Sequence, residues 1–242
     1  MAPDRTDRPV AILLALDEEA RALVQRLARS TISSPHIPVW EGVVESKGVV
    51  LVVTGVGKVS AAMAAQFICD VFAPRCFLSV GLAGATDSEG QRGQVVIASG
   101  ALQHDVDARP FTDAKGVIPS LGKTVFAADA TLSEKLRQAT EGVVDNQQLV
   151  LSGVVLTGDQ IVTSRAVRDG LQADFPDGAC FDMETAAIAQ VAHQNRIPWA
   201  ALRITSDAAD ENFNLQEVLG FGVETAAGLF DQIVRAFLKA RP

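Results

Sequence analysis

The sequence is poor in the residues that build disulfide frames and metal sites. Its 242 residues include only three cysteines and three histidines. The cysteines Cys69, Cys76 and Cys180 are odd in number and form no CxxC motif or Cys/His cluster. We therefore expect buried free thiols in a reducing compartment, and the cytoplasm is the expected location.

Positive charge and long apolar runs are also scarce. The chain has 21 Lys and Arg against 29 Asp and Glu, which gives a formal net charge of -8. Because nucleic-acid binding needs a basic face, no nucleic-acid partner is expected, although an uncharged nucleoside is compatible with this composition. The charged residues 1–9 do not resemble a secretory signal, and the apolar run 10–16 is too short to cross a bilayer, so no membrane association is expected.

Short, nearly continuous apolar runs are present instead, and they alternate with helical patterns. The runs cover residues 10–16, 49–54, 76–80, 95–99, 149–156 and 199–205. Such runs are typical of strands that are covered on both faces. The helical patterns between them, from residues 17–29 to residues 215–238, predict an α/β fold with a mostly parallel sheet. A hairpin-like pattern that begins at residue 39 indicates that the sheet is mixed.

The chain shows no repeat, low-complexity tract or linker that would divide it. We therefore expect one domain over residues 10–242, preceded by a flexible tail over residues 1–9. Residues 84–93 and 105–123 have the composition of irregular loops. In open α/β sheets ligands bind where such loops leave the carboxyl ends of the strands.

Three acidic residues follow predicted strands. Glu19 follows the first strand, Glu184 opens a helix, and Asp207 ends the last apolar run. Acids in the first turn of a helix are also explained by the helix dipole, and Asp182 beside Glu184 could serve only as a helix cap. Because ligand-binding ends of strands meet at one edge of the sheet, we expect the three carboxylates to converge there.

Other polar segments leave more than one interpretation open. Arg203 lies inside an apolar run, where it needs either a salt bridge or a place in an active site. The glycine-rich segment 54–58 fits a tight turn as well as a ligand contact. The small residues of segment 80–85 fit either a close approach of the backbone to a ligand or close packing of a helix on the sheet. Residues 104–107, His-Asp-Val-Asp, match no standard zinc or calcium spacing, so a structured polar loop is favoured over a metal site.

Together these segments resemble the nucleoside phosphorylase/hydrolase superfamily, and within it the 5′-methylthioadenosine/S-adenosylhomocysteine nucleosidases. The resemblance extends from Val10 to Leu238 and rests on the order and spacing of ALDEEA (15–20), TGVGKVSAA (54–62), VGLAGA (80–85), HDVD (104–107), TGDQIV (157–162), DMETAAIA (182–189) and RITSDAAD (203–210). It implies a single three-layer α/β/α domain whose mixed central sheet is partly barrel-like.

The resemblance also implies an activity: hydrolysis of the N-glycosidic bond of these thionucleosides, with water as co-substrate and no cofactor. Glu19 would be the general base that activates water, and Asp207 would protonate N7 of adenine. Glu184 would hold the ribose hydroxyls, with Met183 packed on the sugar. Phe111 would enter the 5′-alkylthio pocket of a neighbouring subunit, which implies a homodimer. The remaining implied binding residues are Arg203 at the water and acid cluster, Ile161 and Val162 at the adenine, and Ser206, Val56 and Leu82.

The chemistry of the implied reaction is consistent with these residues. Adenine anion is a poor leaving group, and a placed acid accelerates such a step by about 10²–10⁴. Asp207 must hold a proton near neutral pH, so we expect its pKa to be raised by burial and neighbouring acids. Glu19 favours hydrolysis over phosphorolysis because a carboxylate repels phosphate.

Three alternatives stay open from the sequence. Leu82 and Ile161 stand where these nucleosidases usually have a small polar residue and a phenylalanine, which keeps a futalosine-type nucleoside hydrolase under consideration. A phosphate-dependent purine nucleoside phosphorylase would share the fold. A non-catalytic nucleoside-binding protein would have no need of both Glu19 and Asp207, and fold alone does not decide between these functions.

Overall fold

The computed structural model describes residues 7–30, 36–86, 92–145 and 150–240. The strands in this part of the chain are β1 (Val10–Leu14), β2 (Ala28–Arg29), β3 (Val39–Val44), β4 (Lys47–Val53), β5 (Cys76–Ala85), β6 (Val95–Gln103), β7 (Phe126–Ala127), β8 (Val150–Thr157), β9 (Gly178–Asp182) and β10 (Trp199–Asp207). The helices are α1 (Asp17–Val24), α2 (Lys58–Phe72), α3 (Ala130–Glu141), α4 (Arg165–Asp174), α5 (Thr185–Asn195), α6 (Leu215–Phe221) and α7 (Ala227–Lys239).

All ten strands belong to one mixed sheet that closes on itself. Strand β10 pairs in parallel with β5 and antiparallel with β6, and β8 and β9 complete a ring of five strands. Strands β1, β4, β3 and β2 extend the sheet outward from β5. The sheet is therefore mixed and partly barrel-like, as the sequence predicted.

Helices cover both faces of the sheet because its central strands are apolar on both faces. In β1, Ala11 and Leu13 pack in a cluster with α2 and α5, whereas the alternate residues Ile12 and Leu14 pack in a second cluster with α1, α3 and α7. This alternation follows from the opposite directions of successive side chains in a strand. The three layers of the predicted α/β/α architecture are present.

Several predicted elements end at other residues than the sequence indicated, and β6 for example continues to Gln103 instead of ending at residue 99. Helix α1 stops at Val24 instead of continuing to residue 29, because Ala28 and the following residue pair with β3. Strand β5 continues to Ala85 instead of ending at residue 80, since its second half pairs with β10 and β9. The predicted tail and the predicted loop 84–93 lie partly outside the described residues, namely at 1–6 and 87–91, and the predicted strand 149–156 begins outside them, at residue 149.

The last helical pattern, predicted over residues 215–238, is confirmed as a continuous helical segment. A π-helical turn, Gly222–Ala226, joins α6 to α7 within it. Among the described residues, none of the helices has the length and apolar character that spanning a membrane requires.

Candidate active site

A cavity of about 210 Å³ opens at the carboxyl ends of β1, β5, β8, β9 and β10. This is the edge at which the sequence placed the site. Nine of the eleven predicted site residues line it, and they are Glu19, Val56, Leu82, Ile161, Val162, Met183, Glu184, Ser206 and Asp207. The three predicted carboxyl groups therefore share one cavity.

Glu19 is held almost entirely by the backbone. One carboxylate oxygen accepts the N–H groups of Ala15 and Leu16, each at 3.0 Å, and the other accepts the N–H of Leu82 at 2.7 Å. The first two bonds arise because Glu19 occupies the third position of α1 and reaches back over the helix start. Burial raises the pKa of Glu19, although the Leu82 N–H and the nearby Arg203 charge act in the opposite direction.

Glycine at position 81 makes room for this arrangement. A Cβ atom at Gly81 would lie 3.0 Å from a carboxylate oxygen of Glu19 and 3.5 Å from Nη1 of Arg203. A larger residue would therefore press on the Glu19 carboxylate. Residues 80–85 continue β5, and Leu82, Ala83 and Gly84 line the cavity, which favours the ligand approach among the alternatives that the sequence left open for this segment.

Glu184 accepts the backbone N–H of Gly57 at 2.8 Å. Gly57 has φ +95°, in the region that glycine adopts at little cost, and this conformation directs its N–H toward the cavity. Burial, together with the neighbouring Asp182 charge, raises the pKa of Glu184 to about 8. The Gly57 N–H and the Arg203 charge act in the opposite direction and favour the ionised form of the Glu184 carboxyl.

Arg203 lies under the cavity and not in its wall. Its Nε and Nη2 atoms each lie 2.9 Å from Asp182, and Nη2 also donates to Ser79 at 2.9 Å. Asp182 additionally accepts the hydroxyl of Thr157 at 2.5 Å, and the hydroxyl and N–H of Thr185. The buried charge of Arg203 is thus neutralised by Asp182, which the sequence suggested only as a helix cap.

Asp207 lies at the outer part of the cavity and is only partly buried. Its carboxylate accepts the Ser206 hydroxyl at 2.7 Å and the N–H of Ala209 at 2.9 Å. Burial raises the pKa of Asp207, with a smaller contribution in the same direction from Asp210, while the two hydrogen bonds and Arg92 lower it. The direction agrees with the expectation from the sequence.

One wall of the cavity comes from a segment that the sequence analysis did not assign to the site. Phe213 precedes α6, and Leu215, Val218 and Leu219 lie on that helix; all four line the cavity. Their spacing is that of an ordinary apolar helix face, which is why the sequence offered no signal to separate them from core residues.

Phe111 is a predicted site residue that the structure places apart from the cavity. It does not line the cavity of its own chain, and 92% of its surface is exposed. It belongs to the irregular segment after β6, where its N–H donates to the Ala108 carbonyl. That segment begins with the His-Asp-Val-Asp motif, and the described residues contain no group of three or more His, Cys, Asp or Glu side chains arranged for a metal ion.

The closed mixed sheet, with carboxyl groups at the ends of its strands, is consistent with membership of a known family. The family model described as "Phosphorylase superfamily" matches residues 9–239, and the chain belongs to this superfamily. Two sequence relatives are named 5′-methylthioadenosine/S-adenosylhomocysteine nucleosidase. The Staphylococcus carnosus protein is 30% identical over 96% of this chain and 99% of its own length. The Anoxybacillus flavithermus protein is 33% identical over 85% and 88%, respectively.

A solved structure extends the likeness to three dimensions. The 5′-methylthioadenosine/S-adenosylhomocysteine nucleosidase of Neisseria meningitidis, crystallised in complex with methylthio-immucillin-A, aligns with a TM-score of 0.88. It is 31% identical in sequence, and the alignment covers 96% of this chain and 99% of that one. The nucleoside phosphorylase-like fold that the sequence predicted is confirmed.

Proposed function

We propose that this chain hydrolyses the N-glycosidic bond of 5′-methylthioadenosine and S-adenosylhomocysteine, releasing adenine and a 5′-thioribose. The observation that carries this proposal is the placement of Glu19, Glu184 and Asp207 in a single cavity, with the pKa of each raised by burial. The relatives named as nucleosidases, and the related structure with a nucleoside-analogue inhibitor, support a small nucleoside as substrate.

Asp207 is the general acid in this proposal. Its raised pKa favours the protonated form, which donates to N7 of the purine as the bond from N9 to the anomeric carbon breaks. The bonding electrons pass to the purine, so adenine leaves as a neutral molecule. Ser206 keeps the carboxyl group in place through its hydroxyl, which lies 2.7 Å from Asp207.

Glu19 is the general base. Water attacks the anomeric carbon as the glycosidic bond breaks, and its proton passes to the Glu19 carboxylate. The raised pKa makes Glu19 a stronger base than an exposed glutamate, and its three backbone donors fix the direction of the free lone pairs. The positive charge that builds on the ribosyl ring is stabilised by the nearby carboxyl groups of Glu19 and Glu184.

The remaining cavity residues bind the rest of the substrate. Glu184 accepts hydrogen bonds from the ribose hydroxyls, and Met183 packs on the sugar. Ile161 and Val162 border the adenine, while Val56 and Leu82 close the cavity on either side of the ribose. The apolar face of α6 suits an uncharged 5′-alkylthio group. Arg203 organises the water and acid cluster from below, through its charge beside Glu19.

Hydrolysis is favoured over phosphorolysis because the described part of the chain places no Lys or Arg side chain in the cavity wall to bind phosphate. Three cations close in sequence or space to the site residues have other partners: Lys58 pairs with Asp105, Arg203 pairs with Asp182, and Arg92 donates to the Ser206 carbonyl and pairs with Glu217. A carboxylate at position 19 adds repulsion against an anion.

The decisive experiment measures adenine release from methylthioadenosine with and without phosphate in the buffer. We expect release at the same rate in both. Release only with phosphate would make the chain a phosphorylase and remove the role of Glu19. Absence of release in both buffers, with release from futalosine or another 5′-modified nucleoside, would keep the chemistry and change the substrate.

We also propose that the chain acts as a homodimer in which Phe111 enters the neighbouring cavity. Its 92% exposure supports this because the Phe111 side chain is accessible to a neighbouring chain. Val56, Val59 and Met63 add an exposed apolar surface at the start of α2.

A mixing experiment tests the shared site. Phe111→Ala should raise KM for methylthioadenosine. Mixing it with Asp207→Asn chains, which retain Phe111, should restore a normal KM in mixed dimers; unchanged KM after mixing would contradict the shared site.

The same proposal includes one domain over residues 10–242 after a short tail, and a cytoplasmic location. All described strands belong to one sheet, and the amide of Arg75 donates to the Pro9 carbonyl at 2.9 Å where the tail joins it. The three cysteines are free thiols, which suits a reducing compartment. Fractionation of the source cells, followed by detection of this protein in each fraction, tests the location.

A further inference from the structure

The His-Asp-Val-Asp motif has no part in the proposed chemistry, yet its first aspartate contacts two residues beside the cavity. The carboxylate of Asp105 accepts the ammonium of Lys58 at 2.6 Å and the N–H of Asp159 at 2.9 Å. Asp159 in turn accepts the backbone N–H of Lys58 at 2.8 Å. These three residues, named here the Lys58 cluster, form a closed cycle of hydrogen bonds.

The Lys58 cluster joins three separate strand ends. Lys58 begins α2 after the turn that follows β4, Asp105 follows β6, and Asp159 follows β8. Lys58 follows Gly57, which bonds to Glu184, and Asp159 precedes Gln160, which lines the cavity. Asp105 therefore connects to the cavity through its bonds to these two residues.

The shortest route runs from the Lys58 cluster to Glu184. A Cβ atom at Gly57 would lie 3.1 Å from a carboxylate oxygen of Asp159, so the Asp159 side chain lies directly against this glycine. The N–H of Gly57 is the hydrogen-bond donor that the structure gives to the Glu184 carboxylate, at 2.8 Å. The cluster thus sets the position of the group that orients Glu184.

The Lys58 cluster is also more enclosed than an ordinary surface ion pair. The side chains of Lys58 and Asp105 are 16% and 26% exposed, against 40% and 41% for the Lys115–Asp174 pair of nearly equal length. Burial alone would raise the pKa of Asp105, but the Lys58 ammonium and the Asp159 N–H lower it below its usual value. Asp105 is therefore ionised and strongly bonded at neutral pH.

We propose that Asp105 is a positioning residue for sugar recognition: through Lys58 and Asp159 it fixes the Gly57 N–H and thereby the Glu184 carboxyl that binds the ribose hydroxyls. The inference rests on the proposed function, in which Glu184 contacts the ribose. It assigns to the His-Asp-Val-Asp segment a contribution to substrate selection that does not involve direct contact with the substrate.

The test compares a ribonucleoside with its 2′-deoxy analogue. Asp105→Asn keeps the size of the side chain but removes the acceptor for the Asp159 N–H or for Lys58. We expect kcat/KM for methylthioadenosine to fall about tenfold, mainly through KM, and kcat/KM for 5′-methylthio-2′-deoxyadenosine to fall less than about twofold. The deoxy substrate is insensitive because it lacks a hydroxyl that Glu184 binds.

Matched variants separate positioning from stability. Asp174→Asn breaks the surface pair with Lys115 and should change neither substrate's kinetics. Lys58→Met should reproduce the pattern of Asp105→Asn, and Asp105→Asn added to Glu184→Gln should cause no further loss. Equal losses on both substrates, a full additional loss in the double variant, or failure of both Asp105→Asn and Lys58→Met to fold would overturn the inference.

The outcome also distinguishes this inference from the proposed function. If the unchanged enzyme turns over both nucleosides equally well, Glu184 does not bind the ribose hydroxyls, and the inference fails while hydrolysis of methylthioadenosine stands. If the unchanged enzyme turns over neither nucleoside, the proposed function fails. If the unchanged enzyme prefers the ribonucleoside while Asp105→Asn retains that preference in full, only the role of Asp105 fails.

Discussion

The two ends of the cavity hold their carboxyl groups in different ways. At the inner end, Glu19 and Glu184 are 2% and 8% exposed, and backbone N–H groups donate to both above the Arg203–Asp182 pair. At the outer end, Asp207 is partly buried and is held by a side-chain hydroxyl and one N–H, with Arg92 nearby. Burial raises the pKa at both ends, so the difference lies in exposure to solvent and in the kind of donor: backbone N–H groups at the inner end, and a rotatable hydroxyl beside one N–H at the outer end.

This difference matches the two tasks in the proposed reaction. A general base must aim at one water molecule, and a rigid backbone frame supplies that direction. After each turnover Glu19 must release the proton that it took from water, and Asp207 must regain the proton that it gave to N7. Asp207 exchanges its proton with solvent directly, because its carboxyl is partly exposed, and the Glu19 proton leaves through the open cavity. The same reaction therefore favours enclosure at one end and access at the other.

The largest expected effect follows from removing the acid at the outer end. Asp207→Asn should lower kcat for adenine release about 10³-fold, since an amide does not donate a proton to N7 in the way a carboxylic acid does. The melting temperature should stay within a few degrees, because the side chain is isosteric. Steady-state kinetics and thermal unfolding check both, and a variant with nearly normal kcat would remove Asp207 from the acid's role.

The base at the inner end should show a smaller effect on rate and little effect on binding. Glu19→Gln should lower kcat about 10²-fold, while calorimetric titration with a non-hydrolysable nucleoside analogue should give nearly the same affinity. Glutamine retains an oxygen for the N–H groups at the start of α1. Loss of binding would instead indicate a ground-state contact between Glu19 and the substrate.

The stability of the folded protein should also depend on the burial of Glu184 at the inner end of the cavity. The pKa of Glu184 is about 8 in the fold and near 4.5 when unfolded, so its contribution to stability is present below about pH 4.5 and is lost as the pH rises to about 8. Glu184→Gln does not ionise and should unfold a few degrees above the unchanged protein at pH 8, with the difference disappearing near pH 4.5.

Differential scanning calorimetry across this pH range measures the effect on stability. Glu134→Gln serves as the control because Glu134 is an exposed helix residue, with 59% of its side chain accessible. It has a long contact to Arg137 and accepts a hydrogen bond from Gln138, which a glutamine oxygen also accepts. It should give no pH-dependent difference. A difference for Glu184→Gln that is constant with pH would show that ionisation is not its cause.

The smallest expected effect concerns the hydroxyl at the outer end. Ser206→Ala removes a hydrogen bond that lowers the pKa of Asp207, so that pKa should rise further. The acid then stays protonated to higher pH, and the alkaline limb of the kcat profile should move up by about one unit, with kcat at pH 7 within about threefold of normal. An alkaline limb that moves down, or does not move, would contradict this arrangement.

The sequence predicted those features that depend on apolar periodicity and on strand ends. The six apolar runs predicted β1, β4, β5, β6, β8 and β10, and the positions of three acids at strand ends predicted their convergence. The pairing of Ala28 with Glu41 was not visible, because a two-residue strand has no period and residues 25–29 continue an amphipathic helical pattern.

Most of the interactions that hold the site residues in place could not be predicted from the sequence. An arginine in an apolar run indicated a buried ion pair, but its partner Asp182, 21 residues away, could not be chosen among 29 acids. The Leu82 contact with Glu19 uses a backbone N–H, which every residue except proline carries. The cavity wall on α6 has the pattern of a core-facing helix, so only the packed structure separates the two.

The frame around Glu19 has a consequence for how this enzyme can diverge. All three donors are backbone N–H groups, so the side chains of Ala15, Leu16 and Leu82 do not contribute to holding the base. Selection can therefore exchange these side chains to reshape the cavity for a different 5′ substituent, with proline as the one substitution that removes a donor. The arrangement that holds Glu19 can therefore be retained while the side chains that determine substrate specificity change.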